Sequence, residues 1–413
     1  MKGALLAIGS RGDVQPMAAL GLALKTQGHQ AVLVADAVFA PLAARVGLPF
    51  VGLPMDVKGL LQASLATMER RSATPATLFR LSVRHMATRA LAVAQAALAG
   101  VADCDVIIAG GGGIPVAGSL AEAAGKPVVQ VLLQPLLPTQ DFRSPLIHWS
   151  WLPPGSNRLS HHLALGLMEQ LLHPLVNASR RAVDLKPIPR WRPPGAAARF
   201  SYCAVSPSVV PKPGDWPANS AMVGYYFLDD PAPLAPSLEA FLQAGPPPVY
   251  LGFGSMAADN APQLAALAME AAERAKVRLL LATGWGGLTP GRLPPGVMVL
   301  EEAPHHRLFP RLAGAVHHGG AGTTAAPLRA GIPSVVTPVF ADQPFWAARL
   351  QALGCAAATI KRRQLTPWAL AMGLERLVED ATLSQRAKGI ARAIARERGA
   401  EATVAHMTRQ PWL

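Results

Sequence analysis

At 413 residues, 51% of them apolar and only 15% charged, the chain exceeds one ordinary core and suits two domains of about 200 residues each. No stretch is low-complexity, which excludes a disordered or fibrous chain. The formal net charge of +13 is concentrated early: residues up to 220 carry 20 Lys+Arg against 11 Asp+Glu, and the remainder 18 against 14.

The first apolar run, Ala4 to Ile8, is ended at once by Gly9-Ser10-Arg11-Gly12-Asp13. It is too short for a secretory core and predicts a strand over Gly3–Ile8, followed by a helical pattern from Pro16 to Gln27. A second strand is predicted at Ala31–Val34. The basic excess then appears as Arg70, Arg71, Arg80, Arg84 and Arg89, with Phe79 as the one aromatic among them. Nucleic-acid modules interleave aromatics for base stacking, so the reading admits no nucleic-acid partner. A solvated face and weak peripheral contact with an anionic membrane both stay open.

Val106–Ala109 and Val128–Leu132 predict further strands, each beside a Gly or Pro turn and a helix-like segment. The uncharged stretch from Val106 to Ala121 holds four consecutive glycines and Pro115, which excludes a membrane span. Ser206–Pro248 is dense in proline and reads as a linker with a little structure of its own. Beyond it the alternation resumes at Val249–Gly252, Val277–Leu281, Val297–Leu300, Gly314–Val316 and Ser334–Val336. Short apolar strands alternating with helices indicate parallel sheets covered on both faces. The expected fold is α/β, with two tandem Rossmann-like doubly wound domains, 1–220 and 221–395. Such sheets bind ligands beyond the carboxyl ends of their strands, which places the expected site in an interdomain cleft. Cys104, Cys203 and Cys355 are scattered and odd in number, which argues against disulfides or a zinc site and suits the cytoplasm.

The strongest motif is Val316-His317-His318-Gly319-Gly320-Ala321-Gly322-Thr323-Thr324, which follows a strand and opens a helix. Its glycines admit a ligand to the backbone, its free N–H groups and helix dipole attract an anion, and His318 and the threonines add donors. The alternative is a tight turn with capping threonines, but two histidines and three glycines exceed what a turn requires. An esterase oxyanion turn also contains His-Gly-Gly, yet no serine here has the Gly-x-Ser-x-Gly elbow it would need. The adjacent pairs His161-His162, His305-His306 and His317-His318 are poor metal spacings. Asp103-Cys104-Asp105 precedes its strand, the wrong end for a ligand, so no metal site is expected.

Three further stretches occupy matching places. Gly9–Pro16 sets Asp13 at the carboxyl end of the first strand, where its plainer role is the N-cap of the next helix. Gly252-Phe253-Gly254-Ser255-Met256 lacks the third glycine of a dinucleotide fingerprint, but Ser255 could donate to a phosphate. Ala341-Asp342-Gln343-Pro344 offers a carboxylate and an amide suited to sugar hydroxyls.

On these stretches, together with Val223–Asp229, Gly284-Trp285-Gly286-Gly287 and Ala303-Pro304-His305, the chain from Gly9 to Gly354 resembles the UDP-dependent family-one glycosyltransferases of GT-B architecture. Within that family it is most similar to sterol 3-beta-glucosyltransferases, then to glycopeptide-antibiotic glycosyltransferases. The resemblance implies Asp13 as the catalytic base, and Ser255, His318, Gly320, Gly322 and Thr323 around the donor pyrophosphate. It implies Asp342 and Gln343 on the transferred hexose, and Glu302, Ala303 and His305 near the base and ribose. Plant members stack a Trp where Glu302 stands, use a Gln at His305, and many members have a Glu at Ala326, so UDP and dTDP donors both stay open. It further implies that 396–413 packs back on the N-terminal domain.

The implied reaction is inverting and metal-independent: a hexose, glucose by resemblance, moves from UDP-glucose as co-substrate to a lipophilic acceptor hydroxyl. Fixed dipoles at a helix N-terminus suit the charge of a leaving diphosphate, and a single carboxylate suits inversion. Gln130–Trp151 supplies the expected acceptor wall, including Leu133, Phe142, Trp149 and Trp151; buried core is the alternative. Two other classes remain as rivals, a nucleotide-binding oxidoreductase and a basic protein without enzymatic activity.

Overall fold

In the computed structural model, residues 1–56, 59, 75–147, 153, 155–189, 198–252, 261–283 and 293–411 are described. Among them the chain forms two compact units, one running up to Leu228 and resuming at Glu397, the other Asp229–Arg396.

The first unit is built on seven parallel strands: β1 (Lys2–Ile8), β2 (Gln30–Asp36), β3 (Phe50–Leu53), β4 (Val106–Gly111), β5 (Val128–Leu132), β6 (Phe200–Cys203) and β7 (Ser220–Met222). Their order, β3-β2-β1-β4-β5-β6-β7, reverses direction between β1 and β4. Helices α1 (Arg11–Thr26), α2 (Ala40–Arg45), α3 (Pro75–Thr88), α4 (Ala90–Val101), α5 (Ile114–Ala124) and α6 (Asn157–Ala182) connect and cover them. The strands are continuous apolar runs because both faces are covered. Ala4, Leu6, Ile8, Ile107 and Ala109 pack on one face with Ala97, Val116, Leu120 and Leu175 from the helices.

The second unit holds α7 (Pro236–Gln243), β8 (Val249–Gly252), α8 (Ala261–Arg274), β9 (Leu279–Ala282), β10 (Val297–Leu300), α9 (His305–Leu308), β11 (Gly314–His317), α10 (Ala321–Ala330), β12 (Ser334–Val336), α11 (Gln343–Ala352), β13 (Ala356–Thr359), α12 (Pro367–Glu379) and α13 (Ala381–Ile394). Its parallel sheet runs β10-β9-β8-β11-β12-β13 and reverses between β8 and β11. Alternation sends Val316 and Val335 into one core and Ala315 into the other.

The stretch read as a linker with a little structure of its own, Ser206–Pro248, holds more than that and is built into both units. Val209, Val210, Trp216, Tyr225 and Tyr226 are buried, β7 pairs with β6, and Pro236–Gln243 is helical. The units therefore divide at Leu228/Asp229, beyond β7. The last helix, α14 (Gly399–Met407), lies in the first unit, where the Tyr226 hydroxyl meets Thr403 Oγ1 at 2.6 Å and Tyr202 meets His406 Nδ1 at 2.7 Å. Among the described residues no helix is long and apolar enough to cross a membrane.

Candidate active site

Both sheets reverse at a point where adjacent strands send their connections to opposite faces, and a crevice forms at the carboxyl ends there. In the first unit that point lies between β1 and β4, with Ile8 in register with Gly111. Ser10 is the N-cap of α1 and Asp13 its third residue. The Asp13 carboxylate accepts the Ser10 N–H at 2.8 Å and the Ser10 hydroxyl at 3.1 Å. Asp13 is thus the reciprocal partner of the cap, a correction to its reading as the cap itself. Gly9 and Gly111 close on the same carboxylate from two strands. A Cβ on Gly9 would collide with Asp13 Oδ2, and one on Gly111, at φ 55°, would stand 2.6 Å from Oδ1. Glycine is required at both places for the half-buried carboxylate to sit between the strand ends.

In the second unit the reversal point holds the His-Gly-Gly turn after β11. Helix α10 starts at N-cap Gly320 with no side-chain cap. Its first N–H groups therefore face out of the helix without an intrahelical acceptor. A Cβ on Gly320 would come within 2.7 Å of His318 Nε2, whereas at exposed Gly322 it would meet nothing. Around this turn three buried polar atoms lack partners: His317 Nε2, His318 Nδ1 and Thr324 Oγ1. Gly319 N donates to His317 Nδ1 at 3.1 Å, which leaves the His317 proton on Nε2. Burial lowers the pKa of His317 to about 3, with a smaller push from His318, and burial alone lowers that of His318 to about 4. Both rings are neutral near pH 7 and act as hydrogen-bonding groups rather than cations. An uncapped helix start with His318 Nε2 standing beside it is an arrangement suited to an anion.

The Asp-Gln pair opens α11 on the neighbouring strand connection. A Cβ on Gly319 would meet Gln343 O at 3.2 Å, so the pair lies beside the His-Gly-Gly turn. Asp342 and Gln343 are 6% and 4% exposed. Asp342 Oδ2 accepts from Trp346 Nε1 at 2.7 Å, and Gln343 Oε1 accepts from Val339 N at 2.7 Å. Both therefore shape the turn in which Ala341 takes φ 54°, a costly conformation for a residue with a Cβ. Glu302 is exposed and Ala303 buried, while His305 stacks on Phe309 with ring centroids 4.5 Å apart.

Leu133 and Phe142 are half-buried in the connection after β5. Ser255, Trp149 and Trp151 lie outside the described residues, as do Arg70, Arg71 and the glycines from Gly284 to Gly287. An apolar cavity in the first unit is lined by Ile8, Met55, Met86, Val93, Val116 and Leu175, among others; Leu133 and Phe142 are not in its wall. Sequence reasoning missed it because its residues come from six separate segments.

Residues 4–122 match the family model for the N-terminal domain of glycosyltransferase family 28, and 286–407 that for the C-terminal domain of erythromycin biosynthesis protein CIII-like proteins. The chain is 34% identical to the O-mycaminosyltylonolide 6-deoxyallosyltransferase of Streptomyces fradiae, over 97% of its own length and 95% of that protein's. It is 30% identical to a sterol 3-beta-glucosyltransferase of Arabidopsis thaliana, over 97% of its length but 64% of the plant protein's. Its fold is shared with the glycosyltransferase VinC, solved in complex with dTDP, at 20% identity, TM-score 0.66 and 99% coverage of both chains.

Proposed function

The chain belongs to the GT-B glycosyltransferases that include antibiotic and sterol enzymes, and from that premise we propose that it moves a hexose from UDP-glucose to the hydroxyl of a lipophilic acceptor, with inversion and without a metal. The observation that carries this reading is the uncapped start of α10 with the neutral His318 ring beside it. Breaking the anomeric C–O bond builds negative charge on the departing diphosphate. Oriented N–H groups at a helix start, a His318 N–H and the Thr323 hydroxyl meet that charge without reorganising. The Asp13 carboxylate takes the acceptor proton as the new C–O bond forms.

A dTDP-sugar donor is the second reading, supported by the dTDP held in VinC. Exposed Arg80, Arg84 and Arg89 fit weak contact with anionic membrane, which salt would screen over roughly 8 Å. The deciding experiment is a thermal-shift and turnover series with UDP-glucose, dTDP-glucose and NADH. One nucleotide sugar should raise the melting temperature and support transfer to a lipophilic alcohol. Stabilisation by NADH alone would overturn the reading.

A further inference from the structure

The connection from 133 to 147 contains no helix or strand, yet parts of it are deeply buried: Thr139 is 0% and Ser144 3% exposed. Buried irregular backbone needs partners from elsewhere, and the first turns of α6 supply them. Asn157 Nδ2 donates to Gln140 O at 2.8 Å, and Ser144 N donates to Ser160 Oγ at 2.8 Å. The His161 ring, fully buried, places Nδ1 3.2 Å from Leu136 O and Nε2 3.1 Å from Phe142 O. The Phe142 ring meets the imidazole edge-on, centroids 5.8 Å apart. From the far side, Asp215 accepts from Thr139 Oγ1 at 2.7 Å and Gln140 N at 2.9 Å.

This connection leaves β5, which neighbours β4, whose Gly111 touches the Asp13 carboxylate. It therefore stands at the same carboxyl end of the sheet as the assigned base, with β4 between β5 and β1. We propose that His161 is a positioning residue for the acceptor wall expected over Gln130–Trp151: its ring stands between the Leu136 and Phe142 carbonyls, fixes where Phe142 stands, and so sets which lipophilic acceptors fit. The proposal rests on the acceptor reading given above. A neutral imidazole has one N–H, so each tautomer bonds one carbonyl and turns a lone pair toward the other. The two ends of the wall are thus separable by substitution. Gln places an amide nitrogen where His has Nε2, near Phe142 O, and Asn places one where His has Nδ1, near Leu136 O.

The test compares His161→Leu, His161→Gln and His161→Asn for acceptor KM, kcat, donor KM and melting temperature, with lipophilic alcohols of two sizes. Losing a buried hydrogen-bond partner should raise acceptor KM in the Leu variant about tenfold and narrow the preference between the alcohols, with donor KM unchanged. The Gln variant should recover most of the acceptor affinity, and the Asn variant less. If the Leu variant does not fold, the Gln and Asn variants decide: differing acceptor constants at a common donor KM support the proposal. Identical acceptor KM and preference across the variants would overturn it, leaving His161 a role in folding alone. Absence of transfer by the wild type is a separate outcome that defeats the glycosyl-transfer reading and this proposal with it.

Discussion

Asp13 already serves the start of α1, since its carboxylate receives both the Ser10 N–H and the Ser10 hydroxyl. The same carboxylate is the group assigned to take the acceptor proton, and substitution separates the two roles. An alcohol is a far weaker acid than a carboxylic acid, so proton transfer must accompany C–O bond formation, and a base of this kind contributes about 10²–10⁴-fold in rate. An asparagine in its place would keep an oxygen that accepts from Ser10. Asp13→Asn should therefore lower turnover by about 10²–10⁴-fold while melting near the wild-type temperature. Asp13→Ala should lose turnover and also about 1 kcal/mol of stability, because the reciprocal cap goes with it. Full turnover in the Asn variant, measured by release of nucleoside diphosphate, would leave Asp13 with the capping role only.

The turn from β11 into α10 was legible in the sequence because all its parts are consecutive: strand, two histidines, glycines, then threonines opening a helix. Its working parts are equally local, and Gly320→Ala tests them. The added Cβ would press on His318 Nε2 at 2.7 Å and displace the ring from the helix start. A lost charge-assisted bond corresponds to about tenfold or more in binding, so UDP or dTDP affinity by calorimetry should fall by at least that factor with the melting temperature little changed. Unchanged affinity would detach His318 from the anion site. Other elements were hidden for physical reasons. Phe200–Cys203 is buried throughout, yet it reads as mixed because Ser201 and Tyr202 are satisfied by Gln130 and His406, which are distant in the chain. Ala356–Thr359 forms β13 from three alanines, residues with little strand preference of their own. Gly111 could not be linked to Asp13 before β4 was seen in register with β1. Likewise, the pair His161-His162 in a long helix gave no sign that His161 braces a connection preceding it.

At the scale of the whole molecule, one pattern is used twice. Each parallel sheet reverses its strand order once, and each assigned group lies at such a reversal: Asp13 after β1 in the first unit, the His-Gly-Gly turn after β11 in the second. The proposed chemistry is divided accordingly, with the residue assigned as proton acceptor in one unit and the turn assigned to the leaving group in the other. A direct displacement run by one carboxylate and fixed dipoles has two signatures, inversion at the anomeric carbon and indifference to chelators. One measurement reads both. The protein is incubated in excess EDTA with an α-linked UDP- or dTDP-glucose and a lipophilic secondary alcohol, and the anomeric proton coupling of the purified glucoside is recorded by NMR. The account predicts a β-glucoside formed at the same rate with and without EDTA. An α-glucoside, or transfer that appears only when magnesium or manganese is restored, would contradict it.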